Sequence, residues 1–152
     1  QMYEALQPGE PLDLLPDYVP PKETATSAPA LAKKYTLNII SPKSHSFLNS
    51  CYANIENKMK GQGEQFVLIS SADATNRDIQ DGDRVRVFND RGTFKGRATV
   101  TEDVNPGLLV TTVGYWRQLE EGTVNAISSA EFVNMGHGAT FSDNLVQIEV
   151  SA

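Results

Sequence analysis

The sequence predicts an all-β fold, β-rich with a few short helices and closed into a barrel. Three observations carry this reading. Apolar and polar residues alternate in several short stretches, the period of a strand with one buried face. Turn residues separate those stretches, as they do in small all-β domains. The helical signals are few, and each is too short to hold without packing.

Tyr35, Leu37 and Ile39 alternate and give the first strand. Residues 66–69 are wholly apolar, which predicts a strand buried on both faces. Val85-Arg86-Val87 alternates, Asn89-Asp90-Arg91-Gly92 supplies a turn, and Phe94, Ala98 and Val100 resume the even spacing. This is a hairpin signal. Asn105-Pro106-Gly107 has proline and glycine where a type II turn wants them, and a strand over 108–113 follows. Val146, Ile148 and Val150 form the last strand.

Ser71 is placed to cap a turn running to about Ile79, with Asp73 in its first turn, where the helix dipole favours an acid. Ser50 is placed to cap a helix over 52–59 that ends at Gly61. Ser128 and Glu131 have capping-box spacing, with Gly136 as a stop.

Six of the eight prolines lie within the first 29 residues. Proline fixes φ and lacks an N–H, so that stretch is neither a helix interior nor a central strand. Residues 10–21 read as an extended arm, and residues 23–32, small and polar, as a linker. The chain thus divides into an arm and linker over 1–34 and a barrel over 35–152.

Acidic residues number 19 against 13 basic ones, which disfavours a sequence-independent nucleic-acid binder. No apolar run is long enough for a membrane span, and Gln1-Met2 opens no leader pattern. One cysteine, Cys51, excludes an internal disulfide framework, a multi-thiolate zinc site and a cluster held by this chain alone. Cys51 reads as a small, partly buried packing residue.

Four segments stand out together. The first is residues 40–50, with Ser44, His45, Asn49 and Ser50. The second runs from Asp73-Ala74 through Asp81-Gly82-Asp83 to Gly92. The third is Gly114-Tyr115-Trp116 with Val124-Asn125. The fourth is Gly138-Ala139-Thr140-Phe141-Ser142-Asp143-Asn144. In this order they resemble the C-terminal dinucleotide-binding domain of the molybdopterin oxidoreductases, the family of dimethyl sulfoxide reductase, nitrate reductase and formate dehydrogenase. The resemblance covers about residues 35–151.

The resemblance implies a six-stranded double-psi β-barrel, like that of aspartate decarboxylase. It implies a piece of a larger enzyme that grips a dinucleotide arm of bis(molybdopterin guanine dinucleotide), without redox chemistry of its own. Molybdenum or tungsten, its protein ligand and any iron–sulfur cluster would belong to other regions. The implied partners are those regions and electron-transfer subunits, in cytoplasm or periplasm; no nucleic acid and no membrane span is expected.

The resemblance gives Ser44, His45, Asn49 and Ser50 to the cofactor. Read alone they are a polar turn and cap. Asp73 and Asp143 are the acids available to accept the N1–H and N2–H₂ of guanine. Read alone they are a first-turn helix acid and a loop residue. Gly114 permits close backbone approach, and Tyr115 with Trp116 offers a stacking surface or core filling. Asn125 is given to the pterin edge, and Gly138 and Thr140 to backbone contact; each also fits an ordinary loop. The rival reading is a stand-alone double-psi barrel binding a protein or peptide. A self-cleaving decarboxylase is excluded, because no glycine precedes a serine.

Overall fold

The computed structural model describes residues 18–118, 121–132 and 138–151. Its strands are β1 (Leu37–Ile40), β2 (Phe66–Ser70), β3 (Arg84–Phe88), β4 (Thr93–Thr101), β5 (Leu108–Val110) and β6 (Leu145–Val150). Helices α1 (Pro29–Lys34), α2 (Glu56–Gln62) and α3 (Ser71–Thr75) are short, and Val124–Ala126 forms a 3-10 turn. The sheet closes on itself in the order β1-β5-β2-β4-β3-β6. The chain is therefore the six-stranded all-β barrel that its alternation predicts.

That alternation fills the interior. Val85 and Val87 of β3 are fully buried, opposite Gly96 and Phe94 of β4 on one side and Val150 and Ile148 of β6 on the other. Leu37, Ile39, Ile69 and Leu109 join them, while Ala74 with Ile79 and Val124 with Ile127 extend the same apolar cluster beyond the strands. Each large side chain in this cluster stabilises the fold by about 1.5–3 kcal/mol relative to exposure. On β2, Val67 and Ile69 are buried but Phe66 and Leu68 are half-buried. The apolar run therefore has one interior face, because the outer side of β2 is only partly covered.

The register divides the barrel into two rims. β1 runs parallel to β5 and antiparallel to β6, and β2 runs parallel to β4 and antiparallel to β5. The connections 41–65, 89–92 and 111–144 consequently share one rim, here the upper. Connections 71–83 and 102–107 share the lower rim.

The lower rim is bolted by Asp73. Its Oδ2 accepts from Ser70 Oγ at 2.8 Å and from the Gly107 N–H at 2.7 Å, and its Oδ1 accepts from Arg77 at 3.2 Å. Arg77 also donates to Thr36 Oγ1 at 3.0 Å. The Asp73 carboxylate thus ties α3 to the 105–107 turn, and Arg77 extends the tie to Thr36 just before β1. An open cleft of about 450 Å³ beside it is lined by Thr36, Asn76, Arg77 and Gln147.

Several local expectations change. Ser70, not Ser71, caps α3, because Ser70 is extended and its Oγ accepts from the Asp73 N–H. α2 starts at Glu56 without a side-chain cap and stops at Gly63, whose φ of +76° suits a glycine. Ser50 cannot cap it, since it lies at the tip of a tight turn closed by Leu48 and Cys51. The piece proposed at Ser128 and Glu131 forms no helix over the described residues. Ser128 Oγ bonds back to the Val124 carbonyl, Glu131 pairs with Lys22, and Gly136 lies outside the described residues.

The strand expected over 108–113 ends at Val110, because Thr111 turns its Oγ1 to the Phe66 carbonyl at 2.7 Å. The supposed linker contains α1, with Pro29 in its first turn and Lys33 and Lys34 in its last. Of the proposed arm, residues 1–17 lie outside the described residues.

Among the described residues, three ion pairs fasten this upstream segment: Lys34 with Asp90, Lys22 with Glu131, and Glu23 with Arg91. Lys34 and the Tyr35 hydroxyl both donate to Asp90, and Lys22 donates to Glu131. The hydrogen bond from Lys34, then that from Tyr35, holds the Asp90 carboxyl below its ordinary value; Lys22 does the same for Glu131. Such carboxylates stabilise the fold above their unfolded pKa and lose that contribution as pH falls through the lowered folded value. As pH drops below about 4, NMR signals of Lys34 and Tyr35 should shift before those of the barrel interior. One concerted transition of both would contradict this. Replacing Asp73 by Ala should cost about 3 kcal/mol in urea unfolding, because Arg77 and the Gly107 N–H lose their acceptor. An unchanged midpoint would show the bolt to be unimportant.

Candidate functional site

Every candidate site residue except Asp73 lies on the upper rim. Ser44, His45, Asn49 and Ser50 follow β1; Gly114, Tyr115, Trp116, Asn125, Gly138, Thr140 and Asp143 lie between β5 and β6. Asp73 sits on the lower rim, with its oxygens engaged as described.

The two long connections are locked together at their start. Lys43 and Val113 form a parallel bridge, and the Val113 N–H donates to the Pro42 carbonyl at 3.1 Å. Trp116 Nε1 donates to the Ser50 carbonyl at 2.6 Å. Tyr115 is buried, stands edge-on to Phe47 at 5.4 Å, and donates to the Glu64 carbonyl at 3.0 Å. Ser44 Oγ accepts from the N–H groups of Ser46 and Phe47 and donates to Gln62. Ser44, Tyr115 and Trp116 are therefore engaged in shaping the rim. A loop scaffold and a ligand contact use the same residue types, so the sequence does not separate the two roles.

Gly114 is the closest point of this lock. Its φ is +112°, and a Cβ there would lie 2.3 Å from the Asn49 carbonyl oxygen and 3.0 Å from Phe47. Only glycine allows that approach. The Asn49 turn itself has φ +52°, a conformation asparagine tolerates. Cys51 closes this turn through backbone bonds to Leu48 and is exposed, which corrects the expectation of a partly buried packing role.

A second group supports the other side of the rim, and sequence reasoning missed it. Arg91 donates through Nε to the Ile127 carbonyl at 2.8 Å and through Nη2 to Asn144 Oδ1 at 3.2 Å. Fully buried Asn144 accepts from the Ser129 N–H at 2.7 Å and donates to the Phe141 carbonyl at 2.8 Å. Asn89 donates to the carbonyls of Ile127 and Leu145. Asn89 and Arg91 read as turn residues, and a period-based search does not register long-range side-chain bonds from a turn. Thr140 Oγ1 donates to the Glu131 carbonyl at 3.2 Å, so it also holds the loop.

The remaining candidates face outward. His45, Asn49, Ser50, Asn125 and Gly138 are exposed, and Asp143 is half-buried. Among the described residues, none of the five side chains here (His45, Asn49, Ser50, Asn125 and Asp143) makes a hydrogen bond. Together they offer hydroxyl, amide, imidazole and carboxylate groups on a framework fixed by Gly114 and Arg91. That donor set fits a ligand with a pyrophosphate and a heterocycle edge. Among the described residues there is no group of three or more His, Cys, Asp or Glu that could hold a metal ion. Among them too, no helix is long and apolar enough to cross a membrane.

Gly114→Ala should force the 48–51 turn and the 114–116 segment apart. It should cost about 2–4 kcal/mol, through positive φ and overlap with a backbone oxygen, and change the Trp116 fluorescence maximum. Wild-type stability with unchanged fluorescence would show that the contact is not needed.

The fold has known counterparts. Acetylene hydratase from Pelobacter acetylenicus superposes with a TM-score of 0.77 at 19% identity, covering 90% of this chain and 21% of that one. Dimethyl sulfoxide reductase DmsA of Escherichia coli K12 is 32% identical over 150 residues, covering 95% of this chain and 18% of the relative. Probable oxidoreductase YoaE of Bacillus subtilis strain 168 is 39% identical over 107 residues, covering 69% of this chain and 16% of the relative. The chain thus spans less than a fifth of the length of these two relatives. The family model for the "Molydopterin dinucleotide binding domain" matches residues 37–145, from β1 to the start of β6, and the chain belongs to that family.

Proposed function

We propose that this chain is the C-terminal barrel of a larger molybdenum or tungsten oxidoreductase. In this reading its upper rim holds a guanine dinucleotide arm of bis(molybdopterin guanine dinucleotide). The observation that carries it is the convergence, on one rim, of all the candidate residues but Asp73. When bound, the cofactor supplies the redox chemistry; this chain contributes binding and orientation. Its metal ligand, any iron–sulfur cluster and contacts to electron-transfer subunits belong to other parts of the parent enzyme.

The roles follow from exposure and chemistry. Ser50, His45 and Asn49 present hydroxyl, ring and amide donors to the pyrophosphate, on a turn held by Gly114 and Trp116. Asn125 offers both a donor and an acceptor to a pterin edge. Guanine needs a carboxylate that accepts two N–H bonds. Asp143 is the acid for that task, since the oxygens of Asp73 are already engaged on the opposite rim. Acids outnumber bases in the barrel as in the whole chain, so local hydrogen bonds must hold the anionic ligand against the bulk field.

Titration with GDP should move the amide NMR signals of His45, Asn49, Ser50, Thr140 and Asp143 and leave Asp73 and Gly107 in place. Affinity should be weak, near the millimolar range, because half of the site and the favourable field are missing. Absence of shifts at millimolar GDP, or shifts centred on the lower rim, would overturn the assignment.

A further inference from the structure

We infer that Glu23 is a positioning residue for the upper-rim site, so that the binding unit begins near Lys22 and not at the first strand. Only the nucleotide arm of the test below rests on the function proposed above.

Glu23 stands in a small, polar stretch, where a charged side chain is ordinarily solvated. Instead its side chain is 12% exposed, and its carboxylate accepts three hydrogen bonds across the fold. Arg91 donates to it through Nη1 at 2.5 Å and Nη2 at 3.1 Å, and the Leu145 N–H donates at 3.0 Å. This is the paired, charge-assisted geometry in which a guanidinium is held most firmly. The same guanidinium fixes the Ile127 carbonyl and Asn144, and Asn144 fixes Ser129 and Phe141. One carboxylate therefore sets the orientation of the segments that flank Asn125 on one side and carry Thr140 and Asp143 on the other.

The segment bearing Glu23 is itself tied by local bonds. Thr24 and Ser27 exchange backbone-to-hydroxyl bonds at 3.1 Å in each direction, and Lys22 pairs with Glu131 at 2.9 Å. Because Arg91 and Leu145 already take up its oxygens, Glu23 acts through them and not by touching a ligand. Without it, the Leu145 N–H loses its acceptor and a partly buried guanidinium loses its counter-charge.

The test compares the full chain with Glu23→Gln, which keeps the shape and removes the charge, and Glu23→Ala, which leaves a space for acetate. Amide exchange at Leu145 and in residues 127–129 should quicken about tenfold in both variants, with β2 and β4 unchanged. GDP shifts at Thr140 and Asp143 should weaken or vanish while those at Asn49 and Ser50 persist. Added acetate should restore slow exchange in Glu23→Ala and not in Glu23→Gln. Unchanged exchange at Leu145, exchange raised evenly through the barrel, or no response to acetate would overturn the inference. If the wild-type chain shows no GDP shifts, the nucleotide reading fails, and exchange with acetate rescue still decides the role of Glu23.

Discussion

Strand β1 closes the barrel, and its double pairing governs where everything else lies. It contributes only Leu37–Ile40, yet it pairs parallel to β5 through Asn38, Ile39 and Ile40 and antiparallel to β6 through Leu37 and Asn38. A parallel partner demands a crossover, and an antiparallel partner reverses the chain. Both long connections are thereby delivered to the rim where β1 ends. A slip of one residue would turn Leu37 and Ile39 outward.

The two rims then use different physics. The lower rim is closed by a carboxylate whose partners are all internal, and it behaves as a structural lid. The upper rim is divided between residues that hold and residues that present. Gly114, Tyr115, Trp116, Ser44, Arg91 and Asn144 engage the chain itself; His45, Asn49, Ser50 and Asn125 face outward. A ligand with many polar atoms needs fixed donors, because each mobile donor loses entropy on binding. The glycine contact at Asn49 and the guanidinium at Arg91 supply that fixity from opposite sides of the rim.

Much of this was legible in the sequence, for physical reasons that can be named. Val85, Val87, Phe94, Ile148 and their neighbours face a dry interior, so their period of two survives in the sequence and announces the barrel. Asn105-Pro106-Gly107 announced its turn because φ is set by the residues themselves, and Gly107 does take φ +88°. The order of the rim segments also showed through, as a family resemblance. What stayed hidden depended on distant partners. Asp73 announced its place in a first helical turn and its i,i+4 spacing to Arg77, but its bond to Gly107, 34 positions away, leaves no local pattern. Glu23 looked like linker because Arg91 lies 68 positions away. Helix starts failed for a related reason: Ser50 was claimed by a turn and by Trp116, and Ser71 lost to Ser70, whose extended backbone aims its hydroxyl at the helix.

The two rims thus divide the work proposed for the barrel, nucleotide binding at one and structural closure at the other. Binding of paramagnetic Mn(II)–GDP tests this division directly, since line broadening depends on distance from the ion. Amide signals at 43–50, 114–117, 125 and 138–143 should broaden, with signals from 71–83 and 102–107 left sharp. Broadening centred on Asp73 and Gly107, or spread evenly over both rims, would contradict it.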